Sequence, residues 1–421
     1  MSNPSNAPNA PHEPQAYITR LKAQNFRSLA DVSVTLAPLT VLIGPNASGK
    51  SNLLDALRFI RDALTTQLHQ AVDRRGGMSA IRRWSSKGRP YNVTLQVSLK
   101  GPHWTANYAF TLGSARRGEF HVKWERCQVL TNGQQFLYEI HKGQWIHAPE
   151  PHPGMMALVK DLPGDAAEIF RQTLHEVPTG ELFLSKAAFL LGVPAFTEVW
   201  NALRNMGFYT LYPNTFRELR RSTNPYPLRD QGENLASTLR ALKREHLETH
   251  EQILKFLGTA VPGVDEISVK QVGSYLVAQL HHQVASPLTG ASKQRRAVFD
   301  LSQESDGTLR LLALFTALFQ KPSRTLIGIE EPELNIHPGA LAVLRDAMQL
   351  ASQESQILVT THSPELLAEF PPEVFRIVEM VDGATQVGPM AEHQREAIRE
   401  RLFTPGELLV MEGLQREAGH A

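Results

Sequence analysis

The chain has 421 residues, a formal net charge of +1 and one cysteine, Cys127. With 42% hydrophobic and 20% charged residues, it has a globular composition and room for about two to three domain-sized units. The lone cysteine excludes a disulfide framework within the chain and points to a cytoplasmic setting, no apolar run approaches the roughly 20 residues that cross a bilayer, and the near-neutral charge argues neither for nor against nucleic acid.

Residues 1–15 are rich in Pro, Asn and Ala and lack a basic-then-apolar signal pattern, so they read as a disordered leader. Residues 17–23 and 32–36 alternate apolar and polar side chains and predict two antiparallel strands. Arg27, in the link between them, is either a surface arginine or a contact to nucleotide. A continuous apolar strand at 39–43 then runs into Gly44, Pro45, Asn46, Ala47, Ser48, Gly49, Lys50, Ser51 and Asn52. Helical spacing follows at Leu53, Leu54, Leu57, Ile60 and Leu64. G-x-x-x-x-G-K-S between a strand and a helix is the context of a phosphate-binding loop. The two glycines let successive N–H groups turn toward phosphate oxygens, and the helix start adds its unpaired N–H groups and positive dipole end. Lys50 can reach the β- and γ-phosphates, and the Ser51 hydroxyl can ligate Mg²⁺.

The basic, glycine-bearing segment 73–90, with Arg82, Arg83 and Trp84, reads as a solvated loop or a nucleic-acid contact. Residues 91–99, 104–112, 120–130 and 135–140 alternate and predict an antiparallel meander. His141, His147 and His152 follow in a Pro- and His-rich stretch, at spacings that match no standard metal-ligand set. Helical patterns then dominate, including one at 166–175, and the region 151–260 is expected to be a helical insertion broken by an irregular stretch at 208–229. Strands return at 264–272 and 274–280, before a polar, basic loop at 286–296.

Three more junctions carry polar groups. Ser305 and Gly307 begin the apolar helix 309–319, as a helix cap or as a second phosphate-binding N-terminus. The strand 325–329 ends in Glu330 and Glu331. Paired carboxylates there call for a cation, Mg²⁺ on Glu330, with Glu331 placed to orient or deprotonate a water. The strand 356–361 ends at His362, able to donate to a γ-phosphate. One more strand is expected at 374–378, and a mixed helical tail at 392–414.

The order of these motifs resembles the ABC-type ATPase heads of the RecF, SMC and OLD kind. The resemblance rests on Asn25-Phe26-Arg27-Ser28-Leu29, on residues 44–51 as the Walker A loop, and on Ser305-Asp306-Gly307 as the signature motif. Glu330 falls on the Walker B acid, Glu331 on the catalytic glutamate and His362 on the switch histidine, with Asn335 and His337 where the D-loop would lie. It implies an α/β fold, an ABC-type P-loop NTPase head with a mixed or parallel central sheet, an antiparallel β-subdomain and an inserted helical subdomain. The ATPase lobe would then come in two parts, residues 16–150 and 261–421. The resemblance also implies Mg²⁺-dependent hydrolysis of ATP, with Lys50, Glu331 and His362 catalytic. It implies a homodimer in which two heads stack head-to-tail, Ser305 and Gly307 of one touching the γ-phosphate held by the other. Position 330 is Glu where most such enzymes have Asp, no long heptad run encodes SMC-type arms, and the stretch after His362 is expected to be too short for the nuclease domain of OLD proteins. The nearest resemblance is to stand-alone RecF-like ATPases of bacterial anti-phage and retron-associated modules. That implies control of a nuclease or toxin encoded nearby, and no membrane. The alternative is a nucleotide-gated scaffold with negligible turnover that holds such a partner inactive. By their charge, the basic segments 74–89 and 217–221 are candidates for contact with DNA, a candidate further partner.

Overall fold

A computed structural model describes residues 16–84, 91–114, 119–149, 177–284 and 295–417. The expected leader 1–15, the helical pattern at 166–175, His152 and residues 286–294 of the polar loop lie outside them.

The fold grows from the strand Leu39–Ile43, which is buried at every residue. It sits inside a six-stranded sheet ordered Ala384–Pro389, Phe375–Val381, Leu39–Ile43, Gln356–Thr361, Leu326–Glu330, Gly207–Tyr209. All pairings in it are parallel except that of the edge strand Ala384–Pro389. Strands covered on both faces read as unbroken apolar runs, and here alternate residues enter two different cores. Leu42, Leu326, Leu358 and Val378 belong to the first, and Val41, Ile43, Ile327, Ile357 and Val359 to the second.

The first core is closed by helix Lys50–Thr65 and by a seven-stranded antiparallel sheet. Its order is Leu29–Thr35, Tyr17–Phe26, Val93–Lys100, Trp104–Ser114, Phe120–Thr131, Gln134–His141, Gln144–His147. Tyr17–Phe26 pairs with both Leu29–Thr35 and Val93–Lys100, so the first hairpin and the meander form one sheet. The Gln356 side chain joins this sheet to the central one. Its amide donates to the carbonyls of Ile18 (2.8 Å) and Ala37 (3.1 Å), and its oxygen accepts from Ile18 N–H (2.9 Å). The second core holds helices Leu235–Glu245, Leu247–Ala260, Asp306–Phe319 and Leu341–Ala351, with a small antiparallel sheet that includes Val264–Val272, Tyr275–Val284 and Arg295–Asp300.

The expected α/β class, with a mixed central sheet and an antiparallel β-subdomain, is therefore what the chain forms. The helical stretch expected as one insertion divides between the cores. Helices Leu184–Leu190 and Pro194–Arg204 pack into the first core, Leu235–Glu245 and Leu247–Ala260 into the second. Between them Gly207–Tyr209 adds an edge strand, with Phe208 in one core and Tyr209 in the other. At the end of the expected polar loop 286–296, residues 295 and 296 instead begin a strand, Arg295–Asp300, which pairs with Tyr275–Val284.

One buried carboxylate ties sheet to helix. Glu125 Oε1 accepts from Tyr108 (3.1 Å), Tyr138 (2.9 Å) and Leu184 N–H (2.9 Å), and Oε2 accepts from Phe183 N–H (2.6 Å). Burial pushes its pKa up, and these four donors pull it back. Among the described residues, no helix is long and apolar enough to cross a membrane.

Candidate nucleotide-binding site

The register of the central sheet sets the site. Thr361 pairs with Ile43 and Thr360 with Glu330, so three parallel strands end side by side. Residues 44–49, Glu330-Glu331 and His362 follow directly from those ends. The crevice beyond the carboxyl ends of parallel strands is where open α/β sheets take ligands.

Two glycines of the loop are sterically required. A Cβ on Gly44 would lie 2.0 Å from the Val378 carbonyl oxygen, and one on Gly49 would lie 2.0 Å from Thr385 Oγ1. Gly49 also has φ 104°, a left-handed conformation that a side chain disfavours. As the residue before helix Lys50–Thr65 it brings no capping side chain, which leaves the start of the helix open to an anion. Ala47, likewise at positive φ (64°), completes the turn between Pro45-Asn46 and Ser48. Ser48 Oγ is buried in this cradle with no hydrogen-bond partner among the described residues.

Lys50 is nearly buried, and its ammonium donates to the carbonyls of Gly44 (2.6 Å) and Pro45 (2.9 Å). Burial holds its pKa below the ordinary lysine value, while the charges of Glu331 and Glu333 push it back up. Ser51 Oγ donates to Glu330 Oε2 at 2.7 Å, which brings a hydroxyl and a carboxylate oxygen together beside the loop. Among the described residues, no group of three or more His, Cys, Asp or Glu side chains could hold a metal by itself. Ser51 and Glu330 fit a Mg²⁺ that keeps waters and takes phosphate oxygens for its remaining positions.

Glu331 has φ 45°, rare for a residue with a side chain. Its N–H donates to Thr360 O (2.9 Å), and its Oε1 lies 3.0 Å from His362 Nδ1. Both side chains are partly exposed. Glu333 is a third carboxylate here. Its Oε1 accepts from Thr361 Oγ1, its Oε2 is buried with no partner among the described residues, and burial pushes its pKa up.

Arg27 reaches over the first turns of the loop's helix. Its guanidinium pairs with Asp55 at 3.0 Å and donates to Asn52 Oδ1 at 3.4 Å. Asn52 in turn donates to Ser28 Oγ (2.7 Å). Ser28 Oγ shares a 2.6 Å hydrogen bond with Thr385 Oγ1, which donates to Ser48 O at 2.9 Å. Thr385 thus supports the loop from the edge strand, and reading the sequence missed it. The Asp382-Gly383 turn before it was a hairpin signal, with both residues at positive φ, but nothing local marks its hydroxyl. A hollow of about 350 Å³ lined by Asn25, Ala30, Arg83, Trp84 and Tyr91 lies at the turn between Tyr17–Phe26 and Leu29–Thr35.

Ser305 and Gly307 belong to the start of a different helix. Ser305 is exposed and caps helix Asp306–Phe319, its Oγ accepting from Thr308 N–H at 3.1 Å. A Cβ on Gly307 would lie 2.6 Å from Asn335 O, so the helix start packs on the Asn335-Ile336 backbone. His337 caps its own turn, accepting from Gly339 N–H at 3.1 Å. Among the described residues, no hydrogen bond or ion pair joins Ser305 or Gly307 to residues 44–52.

The basic segments have internal partners. Arg217 donates to Glu304 O (2.8 Å) and pairs with Asp306 (2.7 Å), which holds the approach to the helix. Arg220 pairs with Glu218 at 2.5 Å, and Arg221 lies over the Tyr275 ring at 5.9 Å. Arg75 is buried between Asp55 (2.9 Å) and Asp62 (3.0 Å), and Arg82 donates to Ser114.

Two family models match the chain. Residues 180–368 match the family described as "AAA domain, putative AbiEii toxin, Type IV TA system", and residues 17–82 match "AAA ATPase domain". The Old nuclease of Escherichia phage P2 is 22% identical over 368 residues, 83% of this chain and 57% of the relative. The DNA replication and repair protein RecF of Magnetococcus marinus is 30% identical over 148 residues, 35% of this chain and 33% of the relative. The chain thus spans 57% or less of the length of these curated relatives. The Smc head domain of Pyrococcus furiosus, solved with an extended coiled coil bound to the C-terminal domain of ScpA, superposes with a TM-score of 0.48 at 15% identity, over 92% of this chain and 99% of that one.

Proposed function

We propose that this chain, a RecF/SMC/OLD-like ATPase by its matches at both ends, binds and hydrolyses ATP between two copies of itself. The observation that carries this reading is the sheet register, which sets the phosphate loop, Glu330-Glu331 and His362 side by side. Residues 44–52 would receive the phosphates, with Lys50 stabilising negative charge as it develops. Arg27, which reaches over the first turns of the loop's helix, suits the rest of the nucleotide. Ser51 and Glu330 would hold Mg²⁺, which when bound neutralises phosphate charge. Glu331 would accept a hydrogen bond from the attacking water, and His362, 3.0 Å from it, would keep the carboxylate aimed. The products are ADP and phosphate.

An exposed Ser305 with no bond to its own loop fits a role in a second copy, where it and Gly307 would close the partner's site. ATP would then bring two heads together, and hydrolysis would release them, a population shift set by the γ-phosphate. That cycle would control a partner protein, a nuclease or toxin, in DNA maintenance or anti-phage defence. The DNA-related names of the OLD nuclease and RecF relatives support this setting. A scaffold that binds ATP with negligible turnover is the competing reading.

Steady-state hydrolysis by the purified chain and by Glu331→Gln separates the two. An ATPase loses turnover by roughly 100-fold or more in the variant. Equal, negligible rates in both, with ATP still joining two copies, would establish the scaffold.

A further inference from the structure

Arg310 stands one helical turn beyond Asp306 and Gly307, on the inner face of helix Asp306–Phe319. It is 5% exposed, yet it makes no ion pair among the described residues. All three of its nitrogens donate to main-chain carbonyls: Nη1 to Leu211 (2.5 Å), Nη2 to Glu331 (2.7 Å) and Nε to Pro332 (3.4 Å). A buried cation held by carbonyl dipoles alone is a costly arrangement. Burial lowers its pKa, and the charges of Glu333, Tyr212 and Glu331 act against that. A planar fork with donors on three edges can bind three carbonyls at once, which an ammonium on a flexible stem cannot do in the same geometry.

The carbonyls it binds bear on function. Glu331 is held at φ 45°, and its peptide is fixed on one side by Thr360 O and on the other by Arg310. The same helix touches Asn335 through Gly307. The helix start and the turn that carries Glu331 are therefore joined by two direct contacts within one chain.

We propose that Arg310 is a positioning residue that couples the two nucleotide sites of the dimer. Engagement of the partner's triphosphate by Ser305 and Gly307 shifts the helix start. Arg310 carries that shift to the Glu331 peptide, which aims the carboxylate at the water on the chain's own nucleotide. Each site then senses whether the other is filled. This rests on the ATP-dimer reading above and adds the route between its sites.

The test compares the rate of hydrolysis against ATP concentration for the wild type, Arg310→Lys and Arg310→Met, with the affinity of each for a fluorescent ATP analogue. The wild type is expected to respond sigmoidally, with a Hill coefficient above about 1 and up to the number of sites. Both variants are expected to respond hyperbolically, with kcat at least roughly tenfold lower and analogue affinity within about twofold. Arg310→Lys keeps the charge in place should Arg310→Met fold poorly. Sigmoidal variants, or a hyperbolic wild type that does hydrolyse ATP, would overturn the coupling and leave the hydrolysis reading intact. Variants that lose analogue affinity in step with rate would overturn it too, by making Arg310 a strut. A wild type with no turnover removes the underlying reading instead.

Discussion

The phosphate loop and the start of helix Asp306–Phe319 are built on opposite plans. The loop is assembled inward, with its glycines wedged against Val378 and Thr385, its lysine turned onto its own carbonyls, and the ends of two neighbouring strands bringing Glu330, Glu331 and His362 to its side. The helix start is braced from behind by Arg217, Arg310 and the Asn335 carbonyl, while Ser305 itself faces solvent. One region is closed on itself within a single chain, and the other leaves a polar helix end facing solvent. On the proposed reading the two are unequal halves of a site that only a second copy completes.

The comparison can be broken most forcefully at Lys50. Lys50→Ala is expected to lower turnover roughly 100- to 1,000-fold by removing the charge that meets the phosphates, with circular dichroism unchanged, since Lys50 bonds only loop carbonyls. A variant that turns over at the parental rate would take the loop out of the chemistry. Thr385→Val sharpens the same side. It keeps the shape but deletes the hydroxyl that bonds Ser48 O and Ser28 Oγ, so nucleotide affinity should fall by about five- to tenfold, the bond to the loop alone contributing about 1 kcal/mol. Isothermal titration with ATP measures this, and unaltered affinity would make Thr385 mere packing. The smallest effect belongs to the helix start. Arg217→Ala removes a partly exposed ion pair with Asp306, so ATP-dependent association of two copies should weaken by about two- to fivefold, within the up to ~1 kcal/mol such pairs contribute. Nucleotide affinity of the single chain should stay as it was, and a fall there instead would show the two regions to be one.

What could be read in advance follows the range of the contacts. The phosphate loop was legible because strand, glycines, lysine and helix lie within one short run of sequence. The strands ending at Glu330 and Thr361 were legible as apolar runs because both of their faces are buried. The placing of Gln356–Thr361 between Leu39–Ile43 and Leu326–Glu330 was not, since it depends on parallel pairing across most of the chain. Thr385 lies 337 residues from the Ser48 it supports, and no local pattern announces that. Gly207–Tyr209 is too short to show a period, and its two large side chains enter opposite cores. The charged residues misled most. Arg75 and Arg217 read as a solvated or DNA-facing surface, yet each is committed to carboxylates of its own chain.

The central claim is that the nucleotide is held by one copy and closed over by Ser305 of another. Light scattering of Glu331→Gln, with and without Ser305→Arg, tests it most directly. With ATP and Mg²⁺, Glu331→Gln should have the mass of a dimer, and the double variant should have that of a single chain while still binding nucleotide. A dimer that persists in the double variant, or that forms equally well without ATP, would contradict the account.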